Sequence, residues 1–153
     1  FPALEHFLSA VKEMGLALLM VADRVDPAIL KRHEGAGMRF TTTRQSMRLA
    51  LQQADLLVSN GNHGTAAAGL LAGVPMMAIP LHQEQECCAR RMAESGLGGA
   101  LLRNRPEKIK PLLEQLVGNE AQQRSSEDRA NRYRAFDYRD SIAFMLEAVR
   151  TVL

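Results

Sequence analysis

A polar segment at positions 59 to 65, SNGNHGT, has the residue types of a loop that binds an anion. Gly61 and Gly64 permit backbone conformations and close approaches that a side chain would prevent. If a helix begins in this segment, its first N–H groups lack partners within the helix and together carry about half a positive charge. Thr65 adds a hydroxyl donor, so the expected ligand is a phosphate group. The alternative is an ordinary turn between a strand and a helix.

The elements around this segment are predicted from the spacing of apolar residues. Continuous apolar runs are typical of parallel strands buried on both faces, and apolar residues three and four apart indicate helices. The spacing predicts strands over 16–22, 38–42, 55–59, 76–80 and 100–102, and helices over 4–14, after 26, after 46, from about 65, from about 84 and after 110. Gly118 and Asn119 predict a break in the last helical region, and Asp140 is the predicted cap of the final helix.

Strands that alternate with helices predict an α/β fold, a Rossmann-like doubly wound parallel sheet. We expect one domain over residues 1–153, with residues 111–153 as its helical C-terminal segment. Ligands of such sheets bind beyond the carboxyl ends of the strands, and the segment 59–65 lies at such an end. Its glycine spacing is not G-x-G-x-x-G, so a nicotinamide cofactor is not expected.

Composition argues against several functional classes. The 153 residues are 46% hydrophobic and carry a formal net charge of +2 without a long block of one sign, so nucleic acid is not an expected partner. Arginines near the C-terminus alternate with acidic residues, which favours a solvated, ion-paired helix face over an RNA-binding or membrane-binding surface. No apolar stretch approaches the roughly 20 residues of a transmembrane helix, and we expect a soluble, cytoplasmic protein. Adjacent Cys87 and Cys88 offer neither a loop-closing disulfide nor a metal-ligand spacing, and no Asp-x-Asp pair is present, so no metal is expected.

A longer stretch around the polar segment has a specific order of motifs. Residues 54–98 read ADLLVSNGNHGTAAAGLLAGVPMMAIPLHQEQECCARRMAESGLG, with an A-D strand, a G-x-x-G-T loop, an A-G-V-P turn, a proline-ended strand and an acid–Gln pair. This stretch resembles the nucleotide-sugar-binding signature of GT-B glycosyltransferases, especially the bacterial and UDP-glucuronosyltransferase-like group. The resemblance implies the C-terminal, donor-binding half of that fold. It also implies a UDP- or dTDP-linked sugar as substrate, with no separate cofactor.

The resemblance assigns roles to three groups of residues. The positions that match the diphosphate loop are Asn60, Gly61, Asn62, His63, Gly64 and Thr65. Glu84 and Gln85 match the acid–Gln pair that hydrogen-bonds to sugar hydroxyls; alternatively, the acidic residues here only complement the dipole of a helix start. By their place in the chain, without a motif, Gln45, Ser46 and Met47 are assigned to the nucleobase pocket.

The chain also departs from the family pattern. Asn60 stands where many relatives have a histidine, and Ala68 where many have a carboxylate that holds the ribose. His63, at the helix entrance, either contacts the phosphate or points into solvent.

The family's first strand, which precedes the first helix, has no counterpart here, because Phe1 and Pro2 lead straight into that helix. In the usual strand order 3-2-1-4-5-6 this loss would split the sheet. We therefore expect a fragment of a longer glycosyltransferase or a subunit that a partner completes, with the acceptor site and the catalytic base in an N-terminal domain or a partner subunit. The alternative is a nucleotide-sugar-binding or protein-interaction module that keeps the fold without catalysis.

Overall fold

The computed structural model describes residues 3–35, 37–102 and 105–152, in which strands and helices alternate as the apolar pattern predicts. The strands are β1 (Leu18–Val21), β2 (Met38–Thr41), β3 (Leu57–Ser59), β4 (Met76–Ala78) and β5 (Gly98–Ala100). The helices are α1 (Leu4–Glu13), α2 (Pro27–His33), α3 (Met47–Leu51), α4 (His63–Ala72), α5 (Gln83–Glu94), α6 (Ile109–Leu116), α7 (Glu120–Arg132) and α8 (Tyr138–Val152), with a 3₁₀ turn at Pro106–Lys108 before α6. The ends of the predicted domain, residues 1, 2 and 153, lie outside the described residues.

The strands form two parallel sheets. β1 pairs with β2, while β3, β4 and β5 form a second sheet with β4 in its centre. Among residues 3–35, 37–102 and 105–152, no strand joins β1 to β3. The predicted parallel α/β fold is confirmed, and its sheet is divided at the place where the first strand of a 3-2-1-4-5-6 sheet would lie.

Helices cover both faces of the second sheet, so its central strand is buried on both sides. Met77 packs in the larger core cluster, to which α1 and α6 contribute. Met76 and Ala78 pack on the opposite face against Ala89 and Met92 of α5. The larger cluster also includes side chains from β1 and β2, so one core connects the two sheets. This arrangement is the doubly wound architecture that the sequence predicts.

The first strand is buried on one face only. Leu18 and Met20 pack against the larger core, whereas Leu19 and Val21 are 52% and 48% exposed. The prediction that this apolar run is buried on both faces is therefore wrong. The physical reason is that the part of the chain that the structure describes leaves the second face of β1 open to solvent.

The last strand begins two residues before its predicted position at 100–102. It contains Gly98 and Gly99, a residue type that is depleted in strands, and the apolar pattern missed them for that reason. A Cβ atom at position 98 would overlap the backbone of Met76 in the neighbouring β4. The close approach of two strands, rather than local propensity, determines this element.

Polar side chains cap several helices where the sequence predicts them. Asp26 accepts a hydrogen bond from the Ala28 N–H at 2.8 Å, and Ser46 accepts one from the Leu49 N–H at 3.4 Å. The predicted break before α7 is confirmed. Gly118 there has a φ of +70°, and the Asn119 side chain accepts from the Gln122 N–H at 3.0 Å.

The start of α8 differs from the prediction. The carboxylate of Asp137 accepts the backbone N–H of Arg139 at 2.9 Å, and its guanidinium at 2.6 Å. Because α8 begins at Tyr138, Asp140 lies inside the first turn, and its predicted role as the cap is wrong. The ion pair with Arg139, like the pair of Arg124 with Glu120 at 2.5 Å, agrees with the predicted solvated, ion-paired helix face.

Candidate functional site

The polar loop between β3 and α4 lies at the carboxyl end of a parallel strand, as predicted. Gly61 has a φ of +82°, and a Cβ atom there would lie 3.3 Å from the carbonyl oxygen of Gln85 on α5. Both the backbone conformation and the close approach therefore require glycine at this position. The Gly61 N–H donates to the Ser59 hydroxyl at 3.2 Å, which holds the loop against the strand that it follows.

Gly69 brings the helix that follows the loop close to the sheet. A Cβ atom at this position would overlap the sulfur of Met76 and come within 3.0 Å of Leu57. The sequence suggests this close packing, because glycine inside a helix costs about 1 kcal/mol relative to alanine. The N-terminus of α4 is thereby held at the end of β3.

The first turn of α4 has two backbone donors that no described residue uses. The side-chain oxygen of Asn62 accepts the Thr65 N–H at 2.9 Å, and the Asn62 carbonyl accepts the Ala66 N–H at 3.0 Å. Within the described residues, the N–H groups of His63 and Gly64 make no hydrogen bond. The backbone donors that remain for an anion are thus those of His63 and Gly64, with the Thr65 hydroxyl beside them.

Gly64 differs from Gly61 in its surroundings. Gly64 is exposed and helical, and the nearest atom to a Cβ at that position would be the Asn62 side-chain oxygen, at 4.0 Å. Neither a positive φ nor a contact within the protein requires glycine here. The open space beside its backbone is where an external group can approach the N–H.

His63 and Glu84 bring the starts of α4 and α5 together. The His63 Nδ1 atom lies 4.0 Å from the Glu84 Oε1 atom, and the two side chains are 72% and 76% exposed. The predicted diphosphate loop and the predicted sugar-binding carboxylate are therefore neighbours in space, although 21 positions separate these two residues in the sequence. An exposed pair at this distance contributes little to stability.

Gln85 has a structural role in the fold. It is 7% exposed, and its side-chain oxygen accepts the Leu81 N–H at 2.8 Å. The bond closes the turn between β4 and α5. The amide oxygen of Gln85, a residue that the resemblance assigns to sugar hydroxyls, thus makes a bond inside the protein, and its amide nitrogen donates to no described residue.

The predicted nucleobase residues lie at the start of α3, which packs against α4. Ser46 caps α3, and the Gln45 side-chain nitrogen donates to the Thr43 carbonyl at 3.0 Å. Met47 is 41% exposed. Local hydrogen bonds thus occupy two of these side chains, while the Met47 thioether presents apolar surface to solvent.

Open cavities lie beside the loop rather than in it. A cavity of about 600 Å³ follows the carboxyl end of β4 and the first turns of α5; it is lined by Pro80, Leu81, His82, Gln83, Glu86, Cys87 and Arg90. A second cavity of about 450 Å³ lies at the end of β5. The loop residues 60–65 line neither cavity. The first turn of α4 therefore lies on the exposed surface of the protein.

Two further properties of the described residues concern ions and membranes. Residues 3–35, 37–102 and 105–152 hold no group of three His, Cys, Asp or Glu side chains arranged to bind a metal ion. In the same ranges, every helix is too short or too polar to cross a lipid bilayer.

The amino-acid sequence is similar to those of several curated glycosyltransferases, although no family model matches it. NDP-glycosyltransferase YjiC of Bacillus licheniformis is 46% identical over 48 residues, which are 31% of this chain and 12% of that protein. YjiC of Bacillus subtilis is 35% identical over 82 residues, or 53% of this chain and 20% of that protein. Glycosyltransferase GtfC of Amycolatopsis orientalis is 27% identical over 94 residues, or 61% of this chain and 22% of that protein.

The fold is similar to parts of solved glycosyltransferase structures. Glycosyltransferase VinC, solved in complex with dTDP, gives a TM-score of 0.78 over 97% of this chain and 38% of that chain, at 16% identity. The glycotransferase of kitacinnamycin gives a TM-score of 0.73 over 88% of this chain and 35% of that chain, at 20% identity. The chain has the GT-B glycosyltransferase fold.

The chain spans only part of these glycosyltransferases. It covers 12% to 22% of the length of the three curated relatives and 35% to 38% of the two solved chains.

Sequence reasoning missed the charged residues of the second cavity, which include Arg90, Arg105 and Lys108. Arg105 and Lys108 are three positions apart, a spacing that could have suggested a shared surface. Arg90 is on another helix, and only the packing of α5 beside β5 brings it to the same cavity.

Proposed function

We propose that the chain is the part of a glycosyltransferase that binds a nucleoside diphosphate sugar. The observation that carries the proposal is the first turn of α4, where the His63 and Gly64 N–H groups and the Thr65 hydroxyl are available to one anion. A diphosphate is a suitable ligand because the helix dipole and free N–H groups both favour negative charge. Solved structures of similar fold support this choice of ligand, since glycosyltransferase VinC is in complex with dTDP and LpCGTa is in complex with UDP.

The proposed chemistry is stabilisation of the leaving group. When an acceptor hydroxyl attacks the anomeric carbon, the bond from that carbon to the phosphate oxygen breaks, and the diphosphate takes the electron pair. Donors already aimed at this oxygen stabilise the charge as it develops, by about 3 kcal/mol for each well-placed donor. The proton of the acceptor hydroxyl passes to a base that we place outside the described residues, in an acceptor-binding domain or a partner subunit.

We assign the donor sugar to the space beside the start of α5. Glu84 is exposed, lies 4.0 Å from His63 across the two helix starts, and can accept hydrogen bonds from sugar hydroxyls. Gln85 contributes through its amide nitrogen, because its oxygen already accepts the Leu81 N–H. The nucleobase is assigned to the start of α3, where the exposed Met47 offers an apolar surface for a planar ring.

Calorimetric titration of the intact protein with UDP, dTDP and their glucose conjugates tests this function. Thr65→Val removes a hydroxyl that donates to a charged phosphate, and we expect an affinity loss of about tenfold or more. Glu84→Gln should weaken the sugar conjugates more than the free nucleotides. Glu94→Gln, at the far end of the same helix, is the matched control and should change neither.

The outcomes separate the functions that the sequence leaves open. Binding of neither nucleotide by the folded protein, or equal affinity in the wild type and Thr65→Val, would refute the donor site. Nucleotide binding without sugar transfer to any acceptor, in the intact protein, would favour the alternative of a non-catalytic binding module.

A further inference from the structure

The second cavity lies on the same edge of the sheet as the proposed donor site. It has a volume of about 450 Å³ and opens at the carboxyl end of β5, between α5 and the segment that leads into α6. Its lining consists of Arg90, Ala100, Leu101, Leu102, Arg105, Lys108, Pro111, Leu112 and Gln115. Because the carboxyl ends of parallel strands meet at one edge, this cavity and the loop before α4 face the same side of the sheet.

Among the residues that the structure describes, all charged side chains in this lining are cations. Arg90 forms an ion pair with Glu86 on its own helix, with the two groups 2.6 Å apart. Arg105 and Lys108 form no ion pair with any described residue, and both are exposed. The opening of the second cavity therefore carries two positive charges, on Arg105 and Lys108, that have no ion-pair partner among the described residues. A carboxylate partly neutralises a third, on Arg90.

The rest of the lining is mostly apolar. Leu101 is 2% exposed, and Leu112 packs partly buried against the larger core. A cavity with apolar side chains and cations suits a ligand that carries an anionic group on an apolar body. Fully hydrated ions gain little from such apolar walls, and neutral apolar molecules gain nothing from the cations.

Arg90 also lines the first cavity, which begins at His82 and Gln83. The two cavities therefore share one lining side chain.

We propose that the cavity formed by Arg90, Arg105 and Lys108 binds a phosphate or carboxylate group carried on an apolar body. The proposal adds a second site to the proposed function and does not rest on it. Arg105 and Lys108 supply most of the attraction, and Glu86 weakens it by holding Arg90.

The test measures binding of phenyl phosphate and benzoate to the intact protein by calorimetry, without nucleotide, with phenol as the neutral probe. We expect at least one of the two anions to bind and phenol not to bind. The Arg105→Gln, Lys108→Gln double variant should lose about tenfold in affinity. Glu86→Gln, which frees Arg90, should gain affinity severalfold. Melting temperatures of all variants show whether they are folded.

The Lys12→Gln, Arg91→Gln double variant is the matched control. It also removes one lysine charge and one arginine charge, but from exposed positions outside the cavity, and it should bind the probes as the wild type does. A preference for phenyl phosphate identifies a phosphate ligand, and a preference for benzoate identifies a carboxylate. The proposal is overturned if neither anion binds, or if both double variants weaken binding equally. Titration of the same samples with UDP tests the donor site independently, so that failure of the present proposal can be distinguished from failure of the proposed function.

Discussion

Asn62→Asp separates stability from nucleotide binding at the start of α4. The Asn62 side-chain oxygen accepts the Thr65 N–H at 2.9 Å, and a carboxylate oxygen can make the same bond. Asparagine and aspartate cap helices about equally well, and a negative charge at a helix N-terminus adds about 0.3–1 kcal/mol. The lost amide donor to the Asn60 side chain, at 3.1 Å, offsets part of this gain. We expect the free energy of unfolding to stay within about 1 kcal/mol of the wild type.

The same substitution should weaken binding of a diphosphate. Each phosphate charge about 4 Å from the new carboxylate costs about 1 kcal/mol in a solvent of high dielectric constant. Two such charges give about 2 kcal/mol, or about a 30-fold loss of affinity for UDP or dTDP. Calorimetric titration at low and high salt measures this loss, and because the loop is exposed, the loss should shrink as salt screens the repulsion.

Asn119→Asp is the matched control for this prediction. Asn119 caps α7 with the same geometry, accepting the Gln122 N–H at 3.0 Å, and its amide also donates one bond, to the Gln115 carbonyl at 3.0 Å. The control should have a similar effect on stability and none on nucleotide affinity. If Asn62→Asp binds UDP as tightly as Asn119→Asp does, the diphosphate is not at the start of α4 and the proposed site is wrong.

Substitutions at three other positions test the fold. Gly98→Ala places a Cβ atom against the backbone of the neighbouring strand, so we expect a loss of at least about 3 kcal/mol in chemical denaturation; a near-native midpoint would contradict the strand pairing. Gln85→Met removes the acceptor for the Leu81 N–H and should lower the free energy of unfolding by about 1–3 kcal/mol. Gln85→Glu keeps an acceptor and should have a melting temperature closer to that of the wild type. Equal melting temperatures of the two variants would argue against the structural bond. Hydrogen bonds from Arg139 hold the pKa of Asp137 below its ordinary value. The stability that these bonds give to the start of α8 is therefore present above the ordinary aspartate pKa, and it is lost as pH falls through the lower pKa of the folded state. The protection of the amides at the start of α8, measured relative to the intrinsic exchange rate at each pH, should therefore fall on acidification, and this fall should be absent in Asp137→Asn.

The sequence by itself determined the alternation of helices and strands, the helix starts after Asp26 and Ser46, and the position of the loop. These features depend on interactions between near neighbours in the chain. The side chains of Asp26 and Ser46 bond to N–H groups two or three residues ahead, so their residue types are enough to predict these helix starts. The resemblance of residues 54–98 depends on the order of motifs along the chain, and curated glycosyltransferases are similar to this chain in sequence.

The tertiary structure alone decided which groups are available to a ligand. Gln85 looks like a free sugar-binding amide in the sequence, but burial and the bond from Leu81 use its oxygen inside the protein. Likewise, β5 is a strand despite its two glycines, because the neighbouring strand leaves no room for a side chain at position 98. Arg90, Arg105 and Lys108 share one cavity only because α5 and the segment before α6 pack beside the same strand end. Such contacts join residues far apart in the chain, and local pattern contains no information about those distances.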